Sequence, residues 1–305
     1  MILCVNANAA IDKTALVSPF RLDAIHRPQQ VLALPGGKGC NVARALRTLG
    51  AEALVTGWVG GFAGQFIDAG LRQEDIRTDF VQTEGESRTC LSILDQETGT
   101  MTELYEKGAP VTSQNIDDLL TRFRQHVAGA SMATLSGSLP AGAPPDLYRT
   151  LGEIAQAAGV PFVLDSSGAA LRHGLEARPA LVKPNQTEFA ELVGSSDDIP
   201  AAARDLAQRY GTRVVVSLGP DGVLATNGAQ TWRARPPQVQ PVSAVGSGDC
   251  LVGGLTLALS QGEPFEEALR SGVAAGTANT LQLGAGRFTL EDYTRIRAQV
   301  TVEAL

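Results

Sequence analysis

Short apolar runs alternate with amphipathic stretches along most of this chain. Residues 2–5, 53–59, 132–135, 160–164 and 213–218 have the length and the Val, Ile and Leu content of buried strands. Leu147, Leu151, Ile154 and Ala155 recur at helical spacing between Pro144-Pro145 and Gly159, which start and stop a helix. Similar patterns predict helices over about 63–71, 115–126 and 266–281. Apolar strands alternating with helices predict an α/β fold, a central mostly parallel sheet flanked by helices. Residues 88–94 and 100–106, around a turn at 95–99, predict a β-hairpin. The stretch 12–34 lacks helical periodicity and pairs with that hairpin as a small β-sheet, a lid able to close over a bound molecule. Near the other end, Gly219-Pro220-Asp221-Gly222 and Asn227-Gly228 predict an antiparallel run over 213–235. No repeat, linker or low-complexity tract breaks the pattern, so residues 1–305 read as one domain with a lid from about 12–34 and 86–107.

Three polar stretches interrupt this frame. The first is Ala244-Val245-Gly246-Ser247-Gly248-Asp249, between an extended segment and an apolar helix ending near Gly262. Two glycines admit a ligand close to the backbone, and the helix start aims free N–H groups at the same spot. A carboxylate there, Asp249, suits a base taking a proton from an attacking hydroxyl beside a phosphate. It suits an ordinary helix cap as well. The second is Pro35-Gly36-Gly37-Lys38-Gly39-Cys40-Asn41, again a loop entering a helix, with Lys38 and Asn41 fitted to a phosphate or hydroxyls. Asp12 reads as the end of a strand, placed for sugar hydroxyls or merely turning the chain. The third is Lys183-Pro184-Asn185-Gln186-Thr187-Glu188. Its N-x-x-E spacing is that of a capping box, and equally of two groups ordering water around Mg²⁺ near nucleotide phosphates. A dinucleotide fingerprint would need glycine where Leu251 stands, and no P-loop pattern occurs.

The formal charge of -7 argues against a nucleic-acid or acidic-membrane partner, so any phosphate site must be a local basic pocket. Cys4, Cys40, Cys90 and Cys250 lack metal-ligand spacing and read as reduced thiols of a cytoplasmic protein. Ile2-Leu3-Cys4-Val5 reads as a strand rather than a signal, and no apolar run approaches a membrane span.

Together, Gly36-Gly37-Lys38-Gly39-Cys40-Asn41-Val42-Ala43 and Gly246-Ser247-Gly248-Asp249 resemble the two signatures of the phosphofructokinase-B (ribokinase-like) carbohydrate kinases. Ser136-Gly137-Ser138-Leu139-Pro140, Asp165-Ser166-Ser167-Gly168, the 183–188 stretch and Val216-Ser217-Leu218-Gly219 resemble its phosphosugar branch. That branch holds 1-phosphofructokinase, tagatose-6-phosphate kinase and the minor 6-phosphofructokinase. The resemblance implies a ribokinase-like fold, dimerisation through the lid, and transfer of a phosphate from ATP, with Mg²⁺, to a sugar hydroxyl. Carried over, Asp249 is the base and the Gly246, Ser247 and Gly248 amides the anion hole. Asp12, Gly37 and Asn41 hold sugar hydroxyls, while Lys38, Arg88, Arg27 and Ser138 take the phosphate already on the sugar. Lys183, Asn185, Ser217, Gly219, Gly222 and Asn279 line the ATP site. Glu188, with Asn185 and Asp165, organises Mg²⁺ through water.

The chain departs from the family at Ala9, where proline is usual, and at Cys250, where Ser, Ala or Thr is commoner. A thiol at a helix start is expected to have a lowered pKa and to react. Two other readings stand beside the phosphosugar kinase. A kinase of a free sugar or nucleoside has no use for two cations, Lys38 and Arg88, aimed at the pocket. A non-catalytic sugar-phosphate sensor has no use for Asp249 and Glu188.

Overall fold

The computed structural model describes residues 1–194 and 198–305. The chain begins with β1 (Ile2–Asn6), β2 (Ala10–Val17), β3 (Gln30–Gly36), α1 (Lys38–Thr48), β4 (Ala53–Gly60), α2 (Gly61–Gln73) and β5 (Arg77–Thr83). The hairpin β6 (Arg88–Asp95) and β7 (Met101–Tyr105) follows, then α3 (Ser113–Val127), β8 (Met132–Ser136), α4 (Leu147–Ala157) and β9 (Phe162–Asp165). Next come α5 (Gly168–Glu176), β10 (Leu181–Val182), α6 (Gln186–Val193), α7 (Ile199–Tyr210), β11 (Arg213–Ser217), β12 (Val223–Thr226) and β13 (Thr231–Arg235). The chain closes with α8 (Ser247–Ser260), α9 (Phe265–Thr280), α10 (Leu290–Arg297) and β14 (Thr301–Ala304). None of these helices is long and apolar enough to cross a membrane.

Ten strands form one sheet in the order β14-β13-β12-β11-β10-β9-β8-β1-β4-β5. From β11 to β5 every pairing is parallel, while β12, β13 and β14 add antiparallel at one edge. Successive side chains of a strand face opposite sides, and both sides here are covered. Ile2 and Cys4 of β1 pack into the layer built by Cys40, Leu46, Leu71, Val252 and Leu269. Leu3 and Val5 pack into the opposite layer, with Leu119, Phe123, Tyr148, Leu151 and Leu171. The small residues of α9 serve this packing: a Cβ at Gly254 of α8 would stand 2.6 Å from Ser271 O, so the two helices touch backbone to backbone. Close helix packing accounts for those small residues.

The second sheet has the order β3-β2-β6-β7. It confirms the small sheet read from the sequence and corrects one detail. Asp12 does not end a strand; it sits within β2, opposite Leu34 of β3 and Cys90 of β6. The β2–β6 pairing is parallel and joins residues far apart in the chain. The sequence analysis assigns no element to helices α5, α7 and α10 or to strands β5 and β14; α5, α10 and β14 are short. Leu22, Ile25, Val31, Leu104 and Tyr105, on this small sheet and the loop between β2 and β3, are exposed.

Candidate active site

Parallel strands deliver their carboxyl ends to one edge of the sheet, where open α/β sheets bind ligands. Asn6, Ser136, Asp165 and Ser217 end four of these strands, and Lys183 follows a fifth. Asn6 anchors the glycine loop. Its Nδ2 donates to Gly36 O at 3.1 Å and its Oδ1 accepts from Gly39 N at 3.2 Å. The loop is glycine-rich for want of room: a Cβ at Gly36 would stand 2.2 Å from Asp12 Cγ.

The loop hands over to α1, which projects Asn41 inward. Asn41 Nδ2 donates to Asp249 Oδ2 at 2.9 Å and to Asp12 Oδ2 at 3.3 Å, so one amide joins two carboxylates. Asp249 is buried in the first turn of α8, whose N-cap Gly246 has φ 80, a left-handed conformation glycine adopts without strain. Among the described residues its carboxylate caps no backbone N–H of α8; Asn41 is its partner. The cap reading is thereby set aside. Burial pushes the Asp249 carboxyl up to about 7, against the pull of the Lys38 ammonium, and nearby Asp165 adds to the rise. Desolvation raises Asp12 too, despite its bonds from Asn41 and Gly37 N.

Next to this pair lies an ion triad. Asp165, 0% exposed, receives Lys38 Nζ at 3.1 Å and Lys183 Nζ at 3.2 Å on the same oxygen, Oδ1. Its Oδ2 is buried and has no hydrogen-bond partner among the described residues. Burial works to raise the Asp165 carboxyl, but Lys183 and Lys38 outweigh it and hold it below its ordinary value. Lys38 is pulled down by burial and pushed further up by Asp165, Asp249 and Glu188. The triad adjoins the start of α8, for Lys183 Nζ stands 3.7 Å from where a Cβ at Gly248 would be. Ser247 N is taken by Ala244 O at 3.2 Å, whereas the Gly246 and Gly248 amides meet no acceptor among the described residues.

Of Lys38, Arg88, Ser138 and Arg27, which the resemblance assigns to the sugar's own phosphate, Lys38 is bound into the triad and packs beside Gly137, next to Ser138. Arg88, first residue of β6, donates from Nη2 to Asn8 O at 3.2 Å and from Nη1 to Glu106 O at 3.4 Å. Asn8 Nδ2 in turn donates to Ser138 Oγ at 3.2 Å, so Arg88, Asn8 and Ser138 adjoin. Arg27 lies in the exposed loop between β2 and β3 with no bond to any of these.

On the far flank Asn185 and Glu188 form a complete capping box at α6, each side chain accepting from the other's N–H at 2.8 Å. Asn185 also bridges to Ser217 in parallel register, and Gly219 and Gly222 bound the turn that follows. Asn279 is buried in α9; its Nδ2 donates to Gly284 O and Arg287 O, while its Oδ1 has no partner among the described residues. No group of three or more His, Cys, Asp or Glu among the described residues is arranged to hold a metal. A cavity of about 610 Å³ lies elsewhere, lined by Leu257, Arg270, Tyr293 and Arg297, and contains none of the residues above.

Cys250 overturns an expectation. It is 0% exposed, and burial followed by the neighbouring Asp249 carboxylate raises its thiol well above the ordinary value. The helix start does not activate it, because the side chain points into the core rather than into the cleft.

Three residues of the site carry no role in the sequence reading: Asn6, Asn8 and Arg44, whose guanidinium lies buried behind Asn41 and donates to Asn41 Oδ1 at 3.0 Å. Its i,i+3 spacing from Asn41 on one helix was the available signal.

A model of the pfkB family carbohydrate kinases matches residues 3–292. The phosphofructokinase-2 of Escherichia coli, solved in complex with substrates and products, superposes with a TM-score of 0.91 at 32% identity over 98% of each chain. A tetrameric inhibited form of that protein superposes at 0.88, again with 32% identity over 98% of each chain. A Thermotoga maritima protein described as a possible 1-phosphofructokinase superposes at 0.91 with 27% identity, over 100% of this chain and 99% of its own.

Proposed function

The chain belongs to the pfkB family of carbohydrate kinases, and from that premise we propose that it transfers the γ-phosphate of ATP to a hydroxyl of a ketohexose phosphate. The observation that carries this reading is the Asn41 amide joining Asp12 and Asp249 at the start of α8, beside two ammonium groups. Phosphoryl transfer asks a protein for positioning and charge neutralisation. Asp12, Gly37 and Asn41 seat the sugar hydroxyls, and Asp249 accepts the proton from the attacking one. The free Gly246 and Gly248 amides and the α8 dipole face the transferred phosphate. Lys38 and Lys183, both anchored on Asp165, meet the same charge. Arg88, with Ser138 and Asn8, is left to hold the phosphate already on the sugar.

ATP lies along Lys183, Asn185, Ser217, Gly219, Gly222 and Asn279. Glu188 and Asn185, with the unpartnered Asp165 Oδ2, fit Mg²⁺ held mostly through water, since Glu188 Oε1 stays outside the capping bond. Bound Mg²⁺ supplies neutralisation of the nucleotide phosphates.

The substrate test is ADP release with Mg-ATP against fructose 1-phosphate, fructose 6-phosphate, tagatose 6-phosphate, free fructose and ribose. A sugar phosphate is expected to lead, and Arg88→Ala to raise its KM at least about tenfold, the scale of one lost charge-assisted contact. Preference for a free sugar, with Arg88→Ala indifferent, overturns the phosphosugar reading.

A second copy of the chain covers the lid. Leu22, Ile25, Val31, Leu104 and Tyr105 are large apolar residues left exposed on the small sheet and its loop, and exposed apolar patches mark interaction surfaces. Sedimentation equilibrium is expected to give a dimer or larger assembly that Leu104→Glu weakens. A wild-type monomer at assay concentration removes this part.

A further inference from the structure

We propose that Arg44 is a positioning residue of the transfer site: it fixes which way the Asn41 amide faces, and so holds Asp12 and Asp249 together. This rests on the kinase reading above. The guanidinium is 7% exposed and spends its donors on partners from separate parts of the fold. Nε donates to Glu74 Oε2 at 2.7 Å, and Nη2 to Pro35 O at 2.7 Å. Nη1 donates to Asn41 Oδ1 and to Ala285 O, both at 3.0 Å.

The chemistry of the two groups dictates the orientation. Arginine offers only donors, while the asparagine amide has one accepting oxygen and one donating NH₂. With Oδ1 turned to Arg44, the NH₂ must turn away, toward Asp249 and Asp12. A flipped amide would set its NH₂ against the guanidinium and its oxygen against two carboxylates, losing every bond at once. The other contacts extend the control. Pro35 opens the glycine loop, and Ala285 underlies the cap of α8, where a Cβ at Gly246 would stand 2.7 Å from Ala285 Cα. One buried fork therefore sets the glycine loop, the amide and the seat of α8 in a single register. Lysine cannot replace it, because a single ammonium lacks the planar spread that reaches all these acceptors.

The test is a double-mutant cycle on the sugar that wild type turns over best. Arg44→Lys is expected to lower kcat about 10–100-fold with KM for ATP within about threefold, as a misplaced base and hydroxyl seat imply. Asn41→Ala lowers kcat by itself; adding Arg44→Lys to it is expected to change kcat by less than about threefold, because the amide to be positioned is gone. Multiplicative effects would show that Arg44 acts as scaffold alone, and full activity in Arg44→Lys would show that its charge suffices; either overturns the proposal. Should Arg44→Lys fail to fold, Asn41→Asp keeps an acceptor for Arg44 but lacks the NH₂. Its kcat is expected to collapse, with Tm lowered at pH 8 by a third carboxylate facing Asp12 and Asp249, and retained kcat sinks the idea. Wild type silent on every sugar would refute the kinase reading and this proposal with it, whereas an active wild type with an additive cycle refutes this proposal alone.

Discussion

Asp249→Asn is expected to lower turnover about 10²–10⁴-fold, the range for a lost general base, while KM for ATP and sugar moves little. Asparagine matches the carboxylate in shape and still accepts from Asn41, so the geometry survives and the proton acceptor does not. The same substitution is expected to stabilise the fold at pH 8. Burial raises the Asp249 carboxyl from 3.8 to about 7, so the folded chain favours its protonated form. Its contribution to stability is fully present below the ordinary value of 3.8 and is lost as pH rises through about 7. A shift of about three pKa units corresponds to a loss on the order of 4 kcal/mol. The Tm of Asp249→Asn is therefore expected to exceed wild type at pH 8, with the gap closing toward pH 5. A mutant that is both slow and less stable at pH 8 would mean that Asp249 is a structural carboxylate.

Asp165→Ala is expected to be the most destabilising single change in the site. It leaves Lys183, 4% exposed, without its counter-charge, and breaking a buried pair from one side costs about 3–5 kcal/mol. Lys38, 35% exposed, can turn to water and adds less. Turnover falls as well, because both ammonium groups lose the anchor that aims them at α8. The double variant Asp165→Leu/Lys183→Met separates the two effects. It removes charge and counter-charge together, so the denaturant midpoint is expected to recover most of the loss while turnover does not. If Asp165→Ala unfolds at the wild-type midpoint, the triad contributes nothing to the fold and its description as a buried ion cluster is wrong.

Much of this arrangement can be read before any coordinates. The parallel sheet follows from strands apolar on both faces, and the small second sheet from a hairpin pattern beside a stretch without helical period. Lys38, Asn41, Asp165, Lys183 and Asp249 reach the carboxyl edge because each sits at or near a strand end or a loop-to-helix junction, whereas Asp12 reaches it from within β2 of the small sheet. What eluded the sequence are partnerships between distant segments. Nothing local pairs Lys38 with Asp165 rather than with Arg88, since those residues meet only through the order of β1, β8 and β9 in the sheet. Arg44 has the helical propensity of any surface arginine, and only the folded chain puts Glu74, Pro35 and Ala285 around it. Cys250 misled because a helix start was taken to set its pKa, when the direction of its side chain into the core sets it. At Asn185 and Glu188 the capping box forms in full, and the metal reading asks for the oxygen that the cap leaves over.

The central claim is that Asp249 takes the proton from the acceptor hydroxyl. The pH dependence of kcat/KM for the preferred sugar phosphate tests it most directly, because that ratio reports ionisations of the free enzyme. With the Asp249 carboxyl raised to about 7, activity is expected to fall on the acid side with a midpoint near that value, and the limb to vanish from the residual activity of Asp249→Asn. A profile that stays flat from about pH 8 down to pH 5 in folded enzyme, where the raised carboxyl is already protonated, would contradict the account.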